Sequence, residues 1–105
     1  MLFRSLENIR ERFTATEKTV VDSLRSDNQR DGFRIVWAFA GVAAKKGEPD
    51  FQIGRDSLAD RLSITQAGAS DVIRALVEAG AMRLTKPYKP HVSSARYEWI
   101  CRSEN

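Results

Sequence analysis

Leu58-Ala59-Asp60-Arg61-Leu62-Ser63-Ile64-Thr65 runs directly into Gln66-Ala67-Gly68-Ala69-Ser70-Asp71-Val72-Ile73-Arg74-Ala75-Leu76-Val77-Glu78-Ala79-Gly80. Leu58, Ala59 and Leu62 fall on one side of a helix over 56–62, at spacings that bury a single stripe. Ser63-Ile64-Thr65 is too short for anything but a tight turn, and Thr65 has the hydroxyl an N-cap needs. Ala69, Val72, Ile73 and Leu76 give the next helix its buried face as far as Ala79. Gly80 supplies a residue that can take the left-handed conformation closing a helix.

Outward from this pair, 81–85 and 96–101 alternate as strands, joined by a polar loop containing Pro87 and Pro90. Tyr97 and Trp99 share one face of the last strand. Packing against Phe33 and Trp37 accounts for them, with a stacking platform for single-stranded nucleic acid as the alternative. Upstream, Phe51-Gln52-Ile53 is a short strand bounded by Gly54, and the loop 46–50 precedes it. A helix over 33–46 places Phe33, Val36, Trp37, Ala40 and Ala44 on one face and Ile35, Phe39 and Val42 on much of the other, so both sides are expected to be covered. Gly41 in its middle costs about 1 kcal/mol relative to Ala, which a close backbone approach there would explain. Ser26-Asp27-Asn28 and Asp31-Gly32 read as turns. Thr14-Ala15-Thr16-Glu17 matches a capping box that opens a helix to about Asp27, with Val20, Val21 and Leu24 inward. Leu2, Leu6, Ile9 and Phe13 form an earlier apolar stripe. The expected division is an N-terminal helical extension over 1–31, a domain over 32–101 and a tail over 102–105.

A chain of 105 residues with 42% hydrophobic content has one core, not two. Its longest apolar run, 35–44, is too short to span a bilayer, and charges at Arg4, Glu7 and Arg10 interrupt any leader-like segment. A cytoplasmic protein with no membrane partner is expected. One cysteine, Cys101, and one histidine, His91, allow neither an internal disulfide nor a Cys/His metal cluster. No phosphate-cradling glycine loop is present, and Asp56 and Asp60 lie beside Arg55 and Arg61, which makes surface ion pairs their default. No enzyme, cofactor or metal is expected. Charge is unevenly spread: 1–31 is neutral, 32–62 is +1, 63–82 is −1 and 83–105 is +3, giving the chain's net +3. Cations gathered in one loop-bearing region suit a phosphate backbone, through Coulomb attraction and counterion release.

The order helix, short strand, helix, tight turn, helix, strand, basic loop, strand resembles the winged helix-turn-helix family of bacterial and phage DNA-binding domains. Residues 58–65 are similar to its "L-A-x-x-L-x-[VI]-[ST]" supporting helix and turn, and 72–80 to the end of its recognition helix. The resemblance covers about 70 of the 105 residues. It implies a mainly α fold with a small β-wing, here with an N-terminal helical extension. It also implies a double-stranded DNA partner, a recognition helix in the major groove and a role in transcription regulation or DNA replication. Ala59 is then small where two helices cross, Ile64 plugs the turn into the core, and Thr65 leaves free N–H groups facing DNA. The outward recognition face is Thr65, Gln66, Ala67, Ser70, Asp71 and Arg74. Gln66 suits adenine, Ala67 a thymine methyl, and Arg74 guanine or phosphate. The wing contributes Lys86, Tyr88, Lys89, His91, Ser93, Ser94 and Arg96. Three positions depart from the family pattern: Ser63 replaces a frequent glycine, Gly68 sits in the first helical turn, and Asp71 brings a negative charge to the DNA face. A homodimer is expected through the Leu2–Phe13 stripe or the Ile35, Phe39 and Val42 face. A winged-helix module that binds protein, or an excised domain of a larger replication protein, stands as the alternative.

Overall fold

The computed structural model describes residues 10–90 and 95–102. Leu2, Leu6 and Ile9 of the first stripe, the wing residues His91, Ser93 and Ser94, and the end of the tail lie outside the described residues. The fold is mainly helical with a small three-stranded antiparallel sheet. Among the described residues, no helix is long and apolar enough to cross a membrane.

A single 3-10 turn, Arg10–Arg12, leads into α1, Ala15–Ser23. The capping box forms as its spacing requires. The Thr14 hydroxyl accepts from the Glu17 N–H at 3.1 Å, and Glu17 Oε1 accepts from the Thr14 N–H at 2.9 Å. Glu17 is only 1% exposed, and its Oε2 accepts the Trp99 indole N–H at 2.6 Å. The same carboxylate therefore closes a helix end and ties it to the last strand.

The next helix, α2, spans Asp27–Lys45, so it begins at Asp27 and not near Phe33. The reason is local. Ser26 acts as N-cap, its hydroxyl accepting from the Gln29 N–H at 3.1 Å, and Asp27 sits at the positive helix end. Asp27–Arg30 and Asp31–Arg34 then pair one turn apart, at 2.6 and 2.9 Å. The turn-rich composition is a helix start, and α1 ends at Ser23 accordingly. The expected boundary between 31 and 32 falls inside one continuous helix.

Gly32 is where α2 meets the helix that carries Val72. A Cβ there would lie 2.5 Å from Val72 Cγ1, whereas a Cβ at Gly41 would meet nothing nearer than Arg102 Nη2 at 3.9 Å. The close approach is at Gly32, not at Gly41. Phe33, Val36, Ala40 and Ala43 are buried and Ala44 is not. On the opposite side Ile35 and Phe39 are half-covered while Val42 is 54% exposed, so the second face is open toward its end.

The sheet contains β1 (Phe51–Gln52), β2 (Met82–Lys86) and β3 (Arg96–Trp99), in the order β1-β3-β2. Phe51 and Leu84 both pair with Tyr97, and Met82 pairs with Trp99. Two helices bridge β1 and β2: α3, Arg55–Leu62, and α4, Gln66–Glu78. Ser63 turns between them in the left-handed conformation, and the Ile64 N–H returns to the Ala59 carbonyl at 3.0 Å. Gly80, at φ +83°, ends α4 and lets the Ala81 N–H reach the Leu76 carbonyl at 3.0 Å.

One core joins all of this. Phe13 packs edge-on against Phe33 and Trp37, each with centroids 5.2 Å apart, and Phe33 meets Trp99 at 4.9 Å. Fully burying a side chain such as Phe33 is worth roughly 1.5–3 kcal/mol. Tyr97 is buried as well, so the aromatic pair of β3 is core and not an exposed stacking platform.

Candidate nucleic-acid interface

Residues at the start of α4 leave that end of the helix open to solvent. Thr65 is exposed and extended, and its hydroxyl accepts from the Gly68 N–H at 3.0 Å. A Cβ at Gly68 would lie 3.3 Å from that hydroxyl and 3.5 Å from Ile64 Cδ1, so the glycine leaves room for both cap and plug. No acidic side chain occupies the first turn, which keeps the partial positive charge of the N–H groups uncompensated. Gln66 and Ala67 are exposed there, and Ser70 is half-buried.

Asp71 and Arg74 follow on the same face, 72% and 69% exposed, with their charged atoms 3.7 Å apart. A pair this long and this exposed is worth about 0–1 kcal/mol, so a phosphate can displace it at little cost. Of the six residues expected on the outward face of this helix, Thr65, Gln66, Ala67, Asp71 and Arg74 are exposed and Ser70 is half-buried.

The β2–β3 hairpin divides its cations into two kinds. Arg83 pairs with Glu98 at 2.8 Å. Arg96, expected to contact phosphate, is instead held by Asp50: Nε donates to Oδ1 at 2.8 Å, and Nη2 donates to the Asp50 carbonyl at 3.2 Å. The guanidinium next to it and the Thr85 hydroxyl keep the Asp50 carboxyl below its ordinary range, and Arg96 is pushed up in turn. Charge counting cannot see this pairing, because Asp50 is 46 residues away along the chain. Lys86 and Lys89 form no ion pair among the described residues and are exposed, while Tyr88 beside them is 63% exposed.

Helix and hairpin enclose a groove of about 750 Å³. Gln66, Ser70 and Arg74 line it from α4, and Leu84 and Tyr88 from the hairpin side. Ile73 and Val77 add an apolar wall. Arg55 and Asp56, at the start of α3, close one end and form no ion pair among the described residues. The ion pairs expected around Arg55, Asp56, Asp60 and Arg61 are not made among the described residues, and Arg61 lies over the Phe39 ring at 5.0 Å. Arg55 is thus a cation of this surface that its sequence neighbours disguised. Chemically the surface offers helix N–H groups, an amide, a hydroxyl and several cations around an apolar floor. Cys101 lies elsewhere, buried, its thiol pushed up to about 12 by burial and by the Glu17 carboxylate, which keeps it a packing group.

Comparison with known proteins returns no match, whether to a family model, a curated protein or a solved structure.

Proposed function

We propose that this chain binds double-stranded DNA as a winged helix-turn-helix module, with α4 entering the major groove and the β2–β3 hairpin resting on the flanking backbone. Transcription regulation or DNA replication is the setting this reading suits, and no catalytic step is assigned. The observation that carries it is a juxtaposition. The open first turn of α4, which carries no acidic side chain, and the hairpin that carries Lys86 and Lys89 flank one groove. Gln66 reaches base edges in this arrangement, Arg74 reaches guanine or phosphate, and the two lysines contact phosphate.

Titrating a labelled duplex across a salt series tests the proposal. Affinity is expected to fall steeply with salt, and Lys86→Ala with Lys89→Ala to reduce the slope of log K against log salt by about 2. An unchanged slope and affinity in the double variant would remove the hairpin from the interface.

A second reading, a protein-binding module, is favoured by the apolar part of the same groove. Val77, Leu84 and Tyr88 are large, exposed and together there. Apolar side chains gathered on one surface suit a partner's side chain better than a phosphate. No retention on duplex DNA at about 50 mM salt, alongside a stable protein complex, would establish this reading over the first.

A further inference from the structure

The geometry points to Asp50 as the residue that positions the basic hairpin for DNA, an inference resting on the DNA-binding reading above. Asp50 lies between α2 and β1, and it holds both strands of the hairpin at one level. Its Oδ1 accepts from Arg96 Nε of β3 at 2.8 Å, and its Oδ2 accepts from the Thr85 hydroxyl of β2 at 2.9 Å. A third bond runs from Arg96 Nη2 to the Asp50 carbonyl at 3.2 Å. The side chains of Asp50 and Arg96 are 16% and 25% exposed, while Thr85 stands open to solvent.

Thr85 is also where the strand register breaks. Leu84 pairs with Tyr97 and Lys86 with Arg96, which leaves Thr85 as the extra residue of β2. Such a bulge bends its strand and increases the local twist. Anchoring the bulged side chain to Asp50 fixes the direction in which the outer hairpin leaves the sheet. Lys86, Tyr88 and Lys89 follow directly, and Tyr88 lines the groove opposite α4, so the placement of all three depends on this anchor.

Simple electrostatics and a positioning role give opposite signs for removal of Asp50. An acidic side chain beside a DNA-binding hairpin repels phosphate, so deleting it should tighten binding. A positioning role makes its removal weaken binding instead.

The test is duplex affinity of the full chain across a salt series for wild type, Asp50→Asn, Thr85→Ala and the swap Asp50→Arg with Arg96→Asp, each with a melting curve. Asp50→Asn is expected to bind about fivefold or more weakly despite its added net positive charge, with a salt slope smaller by about 1–2. The swap remakes the ion pair but removes the carboxylate that accepts from Thr85, so it is expected to bind more tightly than Asp50→Asn and more weakly than wild type. Equal or tighter binding by a folded Asp50→Asn overturns the inference. Should that variant not fold, Thr85→Ala carries the comparison: weaker binding supports the role and wild-type binding overturns it. Salt-dependent duplex binding that is absent from the wild type fails the DNA reading itself, and this role with it.

Discussion

Ser63 holds the turn between α3 and α4 at φ 56° and ψ 44°, a conformation that brings its Cβ close to the following carbonyl. Glycine has no such contact. Ser63→Gly is therefore expected to stabilise the fold by roughly 0.5–1 kcal/mol after the extra freedom of the unfolded chain is deducted. An upward shift of the urea midpoint at unchanged m-value checks it, and a downward shift would mean that the serine has a favourable role the backbone angle hides. Residue roles were legible in the sequence where their partner is close in the chain. Thr65 reads as a cap because the N–H it serves is three residues on. Arg96 reads as a free cation because its partner is distant, and the counter-charge on Asp50 appears only in the folded sheet.

At the scale of elements, α2 and α4 approach so closely at Gly32 that a Cβ there would meet Val72 Cγ1 at 2.5 Å. Val72 is buried and β-branched, so its methyl cannot rotate away freely when a Cβ is placed at Gly32. Overpacking costs about 1–3 kcal/mol and is offset in part by the better helix propensity of alanine. Gly32→Ala is expected to lose about 1–2 kcal/mol of stability. Combined with Val72→Ala, it should cost less than the two single changes together, a non-additivity that denaturant titration of the four variants measures. Strict additivity would place the strain elsewhere. Helix ends were largely readable from capping chemistry, as at Thr14, Thr65 and Gly80. The start of α2 was not, because Ser-Asp-Asn signals a turn and an N-cap equally well. What decides between them is the pairing of Asp27 with Arg30 and Asp31 with Arg34. The glycine that marks a crossing was equally hidden, since Gly32 and Gly41 differ only in what lies opposite.

For the whole molecule, the helix before residue 27 is part of the core and not an appendage. Phe13 joins the aromatic cluster, and Glu17 reaches Trp99 82 residues on. Neither link has a sequence signature, since both depend on how the last strand returns to the first helix. Charge behaves similarly. The +3 of residues 83–105 is partly offset on folding by acids from elsewhere in the chain, as Arg96 pairs with Asp50 and Arg102 approaches Glu17 at 3.7 Å. Among the described residues Lys86, Lys89 and Arg55 form no ion pair, and Arg74 is weakly held by Asp71. Amide NMR shifts on adding a duplex at about 50 mM salt test the proposal that α4 and the hairpin form one DNA-binding surface. Shifts are expected over Thr65–Arg74 and at Lys86–Lys89, with Phe39 and Val42 unmoved. Shifts confined to the Phe39 and Val42 side of α2, or none at all, would contradict it.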